Sequence, residues 1–244
     1  MREFVRSWIL PFAKKQGWKR FCEIGASNGV STDEILHLSN VEHCIIDPCL
    51  DTDLVRKYSS DPRVTVLKAL SLDALRSVVG TYDCILIDGD HNWYTVYNEL
   101  QTIQQRGLLR RGGVIFLHDV VWPYGRRDMY YQPDTIPAEF RQPYAIKDMI
   151  RGQSKLCEDG GVNSQLCNAI YEGGPRNGVR AAVEDFIRQH VDDYKYCQLQ
   201  NQFGMGLLQY RSNKASENAS LLLLRLKVHI FNLVFRARSL LFRT

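Results

Sequence analysis

The first residues do not read as a secretory leader, and the sequence has no closely paired cysteines, no internal repeat, no low-complexity stretch and only a small net charge. Each absence narrows what it can be. Seven cysteines, an odd number without a C-x-x-C pair, do not suggest a disulfide framework. Cys22, Cys44 and Cys84 sit inside apolar runs and read as reduced core residues. Arg6, Lys14 and Lys15 interrupt the apolar residues near the start and no small-residue cleavage site follows, so a cytoplasmic location is the default expectation. The formal charge of +4, from 31 basic and 27 acidic side chains well mixed along the chain, gives no reason to expect a nucleic-acid partner. With 244 residues, 45% of them hydrophobic, there is enough apolar material for the core of one α/β domain carrying an insertion.

Short apolar runs bounded by turn residues predict strands at 20–24, 42–47, 64–68, 82–88 and 114–118, the last after the turn Gly112-Gly113. Amphipathic segments at 30–38, 51–58, 72–78 and 92–105 lie between them as helices. That alternation implies a parallel sheet with right-handed crossovers. Phe4, Val5, Trp8, Ile9 and Phe12 predict a packing helix before the first strand, limited by Pro11. Near the end, residues 194–199 and 206–210 flank the turn 201–204 and read as an antiparallel hairpin. Residues 120–178 show little periodicity and are taken as a lid inserted after the fifth strand, ahead of a helix at 179–190. Residues 1–212 thus form one α/β domain, and 213–244 a C-terminal helix.

The chemistry gathers at the ends of the strands. Glu23-Ile24-Gly25-Ala26-Ser27-Asn28-Gly29-Val30-Ser31 is a strand, glycine turn and helix start, where backbone N–H groups face a ligand. The spacing is G-x-x-x-G, without the G-x-G-x-x-G of nicotinamide or flavin domains, which suits a nucleoside with a carboxylate tail better than a pyrophosphate. Asp47, ending the second strand, is placed to accept hydrogen bonds from both ribose hydroxyls, or else is a turn aspartate before Pro48. Ser71 either frames an adenine or caps the next helix, and the cap is preferred for that residue alone. The fourth strand delivers Asp88-Gly89-Asp90-His91 and the fifth His118-Asp119. Carboxylates at adjacent strand ends can hold a hard divalent cation; the competing reading makes Asp90 a helix N-cap and leaves His118 and Asp119 fixing loops.

These motifs resemble the Rossmann-like class I methyltransferases that use S-adenosylmethionine, and in particular the metal-assisted O-methyltransferases of the catechol and macrolide-sugar type, with an Ile-Asp-Gly-Asp-His fourth strand and a His-Asp fifth. The resemblance spans about residues 20–120 and the terminal hairpin. It implies that Glu23, Gly25 and Ser31 line the cofactor, together with Ala26, Asn28, Gly29, Asp47, Ser71 and Asp88. It also implies that Asp88 and the pair His118 and Asp119 hold Mg²⁺, although His118 stands where some relatives carry an acid. The implied reaction is methyl transfer to a hydroxyl of a sugar or glycosylated small molecule, with His91 or His118 as general base beside Asp88.

The lid supplies candidate acceptor contacts in Trp122, Tyr124, Arg126, Arg127, Asp128, Tyr130 and Tyr131, a mixture suited to stacking on a sugar ring and hydrogen-bonding its hydroxyls. In the tail, Arg225, His229, Asn232, Arg236, Ser239 and Arg243 recur at steps of four and three, leaving apolar residues over most of the remaining helix surface. That helix is expected to meet a membrane surface, a second subunit or the chain's own domain. Two rival functions stand beside methyl transfer. A nicotinamide-dependent oxidoreductase would share Asp47 but needs the missing glycine triplet, while a non-catalytic nucleoside-binding module for glycan recognition would keep the pocket without turnover.

Overall fold

The computed structural model describes residues 1–241, without the side chains of 216, 220, 221 and 236–241. Its centre is a seven-stranded sheet built from β1 (Arg20–Ile24), β2 (Glu42–Ile46), β3 (Val64–Leu67), β4 (Tyr82–Ile87), β5 (Leu109–His118), β9 (Tyr194–Leu199) and β10 (Met205–Tyr210). They lie in the order β3-β2-β1-β4-β5-β10-β9. The first five are mutually parallel, and β10 runs antiparallel to both β5 and β9. This is the expected Rossmann-like sheet closed by a hairpin. The order steps outward from β1 in both directions, so the loops leaving β1 and β4 meet at a topological switch point, where open α/β sheets take their ligands.

Successive residues of the central strands feed opposite faces, which is why those strands read as unbroken apolar runs. Ile85, Ile87, Ile115 and Leu117 pack with Val96, Leu100, Val183 and Phe186 from helices Trp93–Gln105 and Val179–Gln189. Cys84, Leu86, Val114 and Phe116 pack the other way, against Phe4, Val5, Ile9 and Ile35. Cys22, Cys44 and Cys84 are free and buried, as expected.

Several boundaries moved for local reasons. The N-terminal helix runs over residues 2–16 and is not ended by Pro11, because a π-turn at Val5–Ile9 precedes it and Pro11 opens the following α-helical stretch, Leu10–Gln16, where a missing N–H is tolerated. Gly112 and Gly113 do not form a turn before β5 but lie inside it, where its pairing with β4 shifts register between Tyr82 and Cys84. Gly112 has a φ of +81°, and a Cβ on Gly113 would lie 2.9 Å from the Asp83 carbonyl. The helix expected at 72–78 is one turn, Ser71–Ala74.

The insertion is folded. β6 (Met129–Tyr130), β7 (Tyr144–Ile146) and β8 (Cys167–Ala169) form an antiparallel sheet in the order β6-β8-β7. Beneath it lies a small core of Tyr124, Met129, Met149 and Leu156. The C-terminal helix, Ala215–Leu241, rests on the body through Leu224 and Val228, and through Phe231 against Trp8. Asn232, one of the polar residues spaced by fours and threes, faces the body: its amide donates to the Gln198 carbonyl at 2.7 Å and accepts from the Gln200 N–H at 3.1 Å. Strand β9 is the edge of the sheet, and Asn232 satisfies groups that no further strand pairs. The side chains of Arg236 and Ser239, and Arg243 altogether, lie outside the described residues.

Candidate functional site

At the ends of β1, β2 and β4 is a cavity of about 760 Å³, lined from the sheet by Gly25, Asn28, Asp47, Ser71, Asp88 and Asp90 among others. Gly25 is required there twice over. Its φ is +84°, and a Cβ would stand 2.4 Å from the Gly89 Cα, so only glycine lets the loops after β1 and β4 touch. Asp47 is buried and aimed: one carboxylate oxygen accepts the Ser27 N–H at 2.7 Å and the other the Cys49 N–H at 2.8 Å. Two backbone donors fix its rotamer and leave each oxygen with a free lone pair towards the cavity.

Not every residue assigned to this loop reaches the cavity. Glu23 is buried beneath it, where it accepts from the Thr32 hydroxyl at 2.5 Å and meets His43 Nε2 at 3.1 Å. It fastens the first helix turn and β2 to β1. Ala26, Gly29 and Ser31 are likewise absent from the lining. A Cβ on Gly29 would collide with the Tyr58 hydroxyl, which donates to the Gly29 carbonyl at 2.9 Å. Ser71 is not the N-cap; Leu70 is, and Ser71 lines the cavity from the first turn. Asp90 is not a cap either. Asn92 caps the helix by accepting the Thr95 N–H at 2.8 Å, while Asp90 accepts the Thr95 hydroxyl at 3.0 Å. Behind Ser71 lies Glu99, completely buried: burial pushes its carboxyl up to about 8, the Ser71 hydroxyl opposes this, and nearby Asp90 adds to it.

Asp88 continues from the cavity into a cluster with His91, His118 and Asp119. His118 Nδ1 stands 3.0 Å from both Asp88 Oδ1 and Asp119 Oδ2. Burial favours the neutral ring, but the hydrogen bonds and charges of Asp119 and Asp88 outweigh it and raise His118 to about 9. Burial pushes Asp88 the other way. It is outweighed by the His118 N–H and by the positive charges of His118, the Met1 amino group and His91, which hold Asp88 below the usual carboxylate range. The two carboxylates on either side of His118 thus favour its protonated ring. Asp119 adopts a left-handed backbone, φ +58°, at the end of β5. Three residues each offer a ligand atom within 4.8 Å of the others, and they are Asp88, His91 and Asp119. His91 takes the place in that set expected of His118.

The lid departs most from expectation. Arg127 is fully buried and gives its N–H groups to the carbonyls of Ala169 and Ser154, the latter at 2.6 Å. Tyr130 donates to Asp128 at 2.8 Å, and Arg126 pairs with Glu184 at 2.6 Å. Tyr124 stacks on His91, with centroids 5.4 Å apart. Trp122 lies under Arg151, whose guanidinium is 5.0 Å from its ring. None of these five lines the cavity; the lid residues that do are Tyr131, Gln132 and Thr135. Tyr131 is 58% exposed, whereas its neighbour Tyr130 is buried, the one-residue alternation of extended chain. Nothing in the sequence marks Gln132 or Thr135.

Residues 22–120, which contain β1, the Asp47 turn, β4 and the His118-Asp119 pair, match the family model of a methyltransferase domain. That stretch is similar to a methyltransferase domain, and the fold around it is the class I methyltransferase fold. Solved structures agree on the architecture. A methyltransferase of Podospora anserina bound to S-adenosylhomocysteine superposes with a TM-score of 0.54 at 18% identity, covering 86% of each chain. An O-methyltransferase of Bacillus cereus, also in complex with S-adenosylhomocysteine, gives 0.51 at 16% identity over 86% of this chain and 80% of the other. The Burkholderia thailandensis 1,6-didemethyltoxoflavin-N1-methyltransferase, with its acceptor and S-adenosylhomocysteine bound, gives 0.50 at 12% identity over 86% and 78%. Oxygen and nitrogen methylation thus occur on the same fold, so the acceptor must be argued from the site. No curated protein matches the chain.

Proposed function

We propose that this methyltransferase uses S-adenosylmethionine to methylate a hydroxyl of a small, sugar-like acceptor. The observation that carries the reading is the continuity of two features: a nucleoside-sized cavity with Asp47 fixed by two backbone donors, and, opening from it at Asp88, an acid and imidazole cluster. The cofactor would supply an electrophilic methyl group, the C–S bond breaking as the O–C bond forms. Asp47 would accept the ribose hydroxyls, Ser71 would face the base, and Gly25 with Asn28 would approach the amino acid end.

On the acceptor side, His91 is the proton acceptor in this reading. Its Nδ1 lies 3.4 Å from Asp119, which orients it, and its ring is held flat against Tyr124. His118 keeps Asp88 and Asp119 in place and offsets part of their charge. Asp88, His91 and Asp119 also fit a hard divalent cation, with two carboxylates and an imidazole in reach of one point. Such an ion would favour the alkoxide form of the acceptor in place of the base. Tyr131, Gln132 and Thr135 line the cavity's lid side and carry a ring, an amide and a hydroxyl, the kinds of group that stack on and hydrogen-bond a sugar. The experiment is release of S-adenosylhomocysteine over a panel of sugar, glycoside, catechol and amine acceptors, with Mg²⁺ or with EDTA. Turnover with hydroxyl acceptors is the expected result. Turnover confined to amines would overturn the oxygen assignment, and activity unchanged by EDTA would remove the cation.

A further inference from the structure

The C-terminal helix uses one side to hold the body, and the opposite side is uncovered. Taking Leu224 as zero and about 100° per residue, Val228, Phe231 and Asn232 fall within roughly 80° of it, and all pack or hydrogen-bond on the body. Leu222, Leu223, Leu226, Ile230, Leu233 and Val234 fall in an arc of roughly 120° on the far side, and they are 48–63% exposed. Lys227 and His229, both exposed, border that arc on its two sides. Six of the chain's Lys and Arg residues and one of its acids lie in residues 213–244, so that stretch carries +5 and the first 212 residues carry −1. The excess positive charge of the protein is confined to the segment that exposes the apolar face.

We propose that this helix docks the methyltransferase on a lipid bilayer bearing anionic headgroups, lying in the plane of the interface. An apolar arc bordered on both sides by bases lets leucines enter the acyl boundary while the basic groups reach phosphates. A second copy of the chain is a poorer occupant, since it would bring two +5 segments together. The helix also passes a length and composition test for crossing a membrane over Glu217–Phe235. The body already holds Leu224, Val228 and Phe231, so spanning would strip that contact away.

The test is flotation of full-length protein with vesicles of phosphatidylcholine alone or with 30% phosphatidylserine, a composition of about one charge in three lipids. Leu226→Glu/Ile230→Glu serves as the variant, with circular dichroism and thermal unfolding confirming that its body is folded. The proposal expects at least tenfold more protein floating with the anionic vesicles, a loss of most of this at high salt, and at least tenfold less flotation for the folded variant. Equal flotation with both vesicles, or with neither, overturns it. So does a concentration-dependent dimer that the variant dissociates without any vesicle binding, which would assign the face to a second copy.

Discussion

The two walls of the cavity are built on different principles. The sheet wall, from the ends of β1, β2 and β4, is mostly backbone: positive-φ Gly25, N–H groups of Ser27 and Cys49, and one carboxylate they fix. The lid wall is held by side chains whose partners are remote in sequence. Arg127 reaches Ser154 and Ala169, and Asp128 accepts the N–H groups of Trp93 and Gly178 at 2.7 and 2.6 Å. In the first wall Gly25 and Asp47 touch the cavity themselves; in the second Arg127 and Asp128 sit behind it and hold Tyr131, Gln132 and Thr135 forward.

Substitutions should separate the walls. The largest effect is expected from Gly25→Ala, since a Cβ there meets the backbone of Gly89 at 2.4 Å and no side-chain rotation relieves it. Cofactor binding should be lost in titration and the unfolding midpoint lowered. Unchanged binding would mean the two loops are not in contact. Next comes Arg127→Met, which strips the buried Ala169 carbonyl and the part-buried Ser154 carbonyl of their donor and should cost about 2–3 kcal/mol in denaturant unfolding. A stable variant with a raised acceptor KM would instead return Arg127 to the acceptor site.

Glu99 tests the floor behind Ser71. Its folded-state pKa of about 8 exceeds the ordinary value of 4.5, so the folded protein holds this proton longer than the unfolded chain. Its contribution to stability is full below pH 4.5 and is lost as pH rises towards 8, at no more than about 1.4 kcal/mol per pH unit. Thermal unfolding between pH 5 and 8 should show the midpoint falling, and Glu99→Gln should flatten that slope; identical slopes would mean Glu99 is ionised in the folded state. The smallest effect is expected from Tyr131→Ala, a roughly tenfold rise in acceptor KM, or about 1.4 kcal/mol, with no change in unfolding. Loss of stability there would make Tyr131 a packing residue like Tyr130.

Most of the sheet was legible because alternating buried strands and crossover helices leave periodic traces, and Asp47, Gly25 and Asp88 because each ends a strand at a fixed offset from a turn. The orientation of Glu23 was not legible, because a buried acid next to a glycine turn looks the same in sequence whether it faces a ligand or, as here, bonds Thr32 and His43. His118 was visible as a functional histidine, but its charge state depends on both carboxylates 3.0 Å away, one of them thirty positions earlier in the chain. The lid's aromatic and arginine residues announced themselves by type, and type does not tell a contact from a support. The N-terminal helix passing through Pro11 depended on a π-turn that leaves no periodic trace.

The central claim is that the sheet wall is an S-adenosylmethionine site with Asp47 as its ribose anchor. Calorimetric titration of S-adenosylmethionine, S-adenosylhomocysteine and NAD⁺ into the wild-type protein and Asp47→Ala tests it most directly. The account predicts binding of both adenosyl compounds, little or none of NAD⁺, and a weakening of ten- to a hundredfold in the variant, as expected for loss of hydrogen bonds to a charged acceptor at about 1.5–3 kcal/mol. Preference for NAD⁺, or adenosyl binding that Asp47→Ala leaves unchanged, would contradict it.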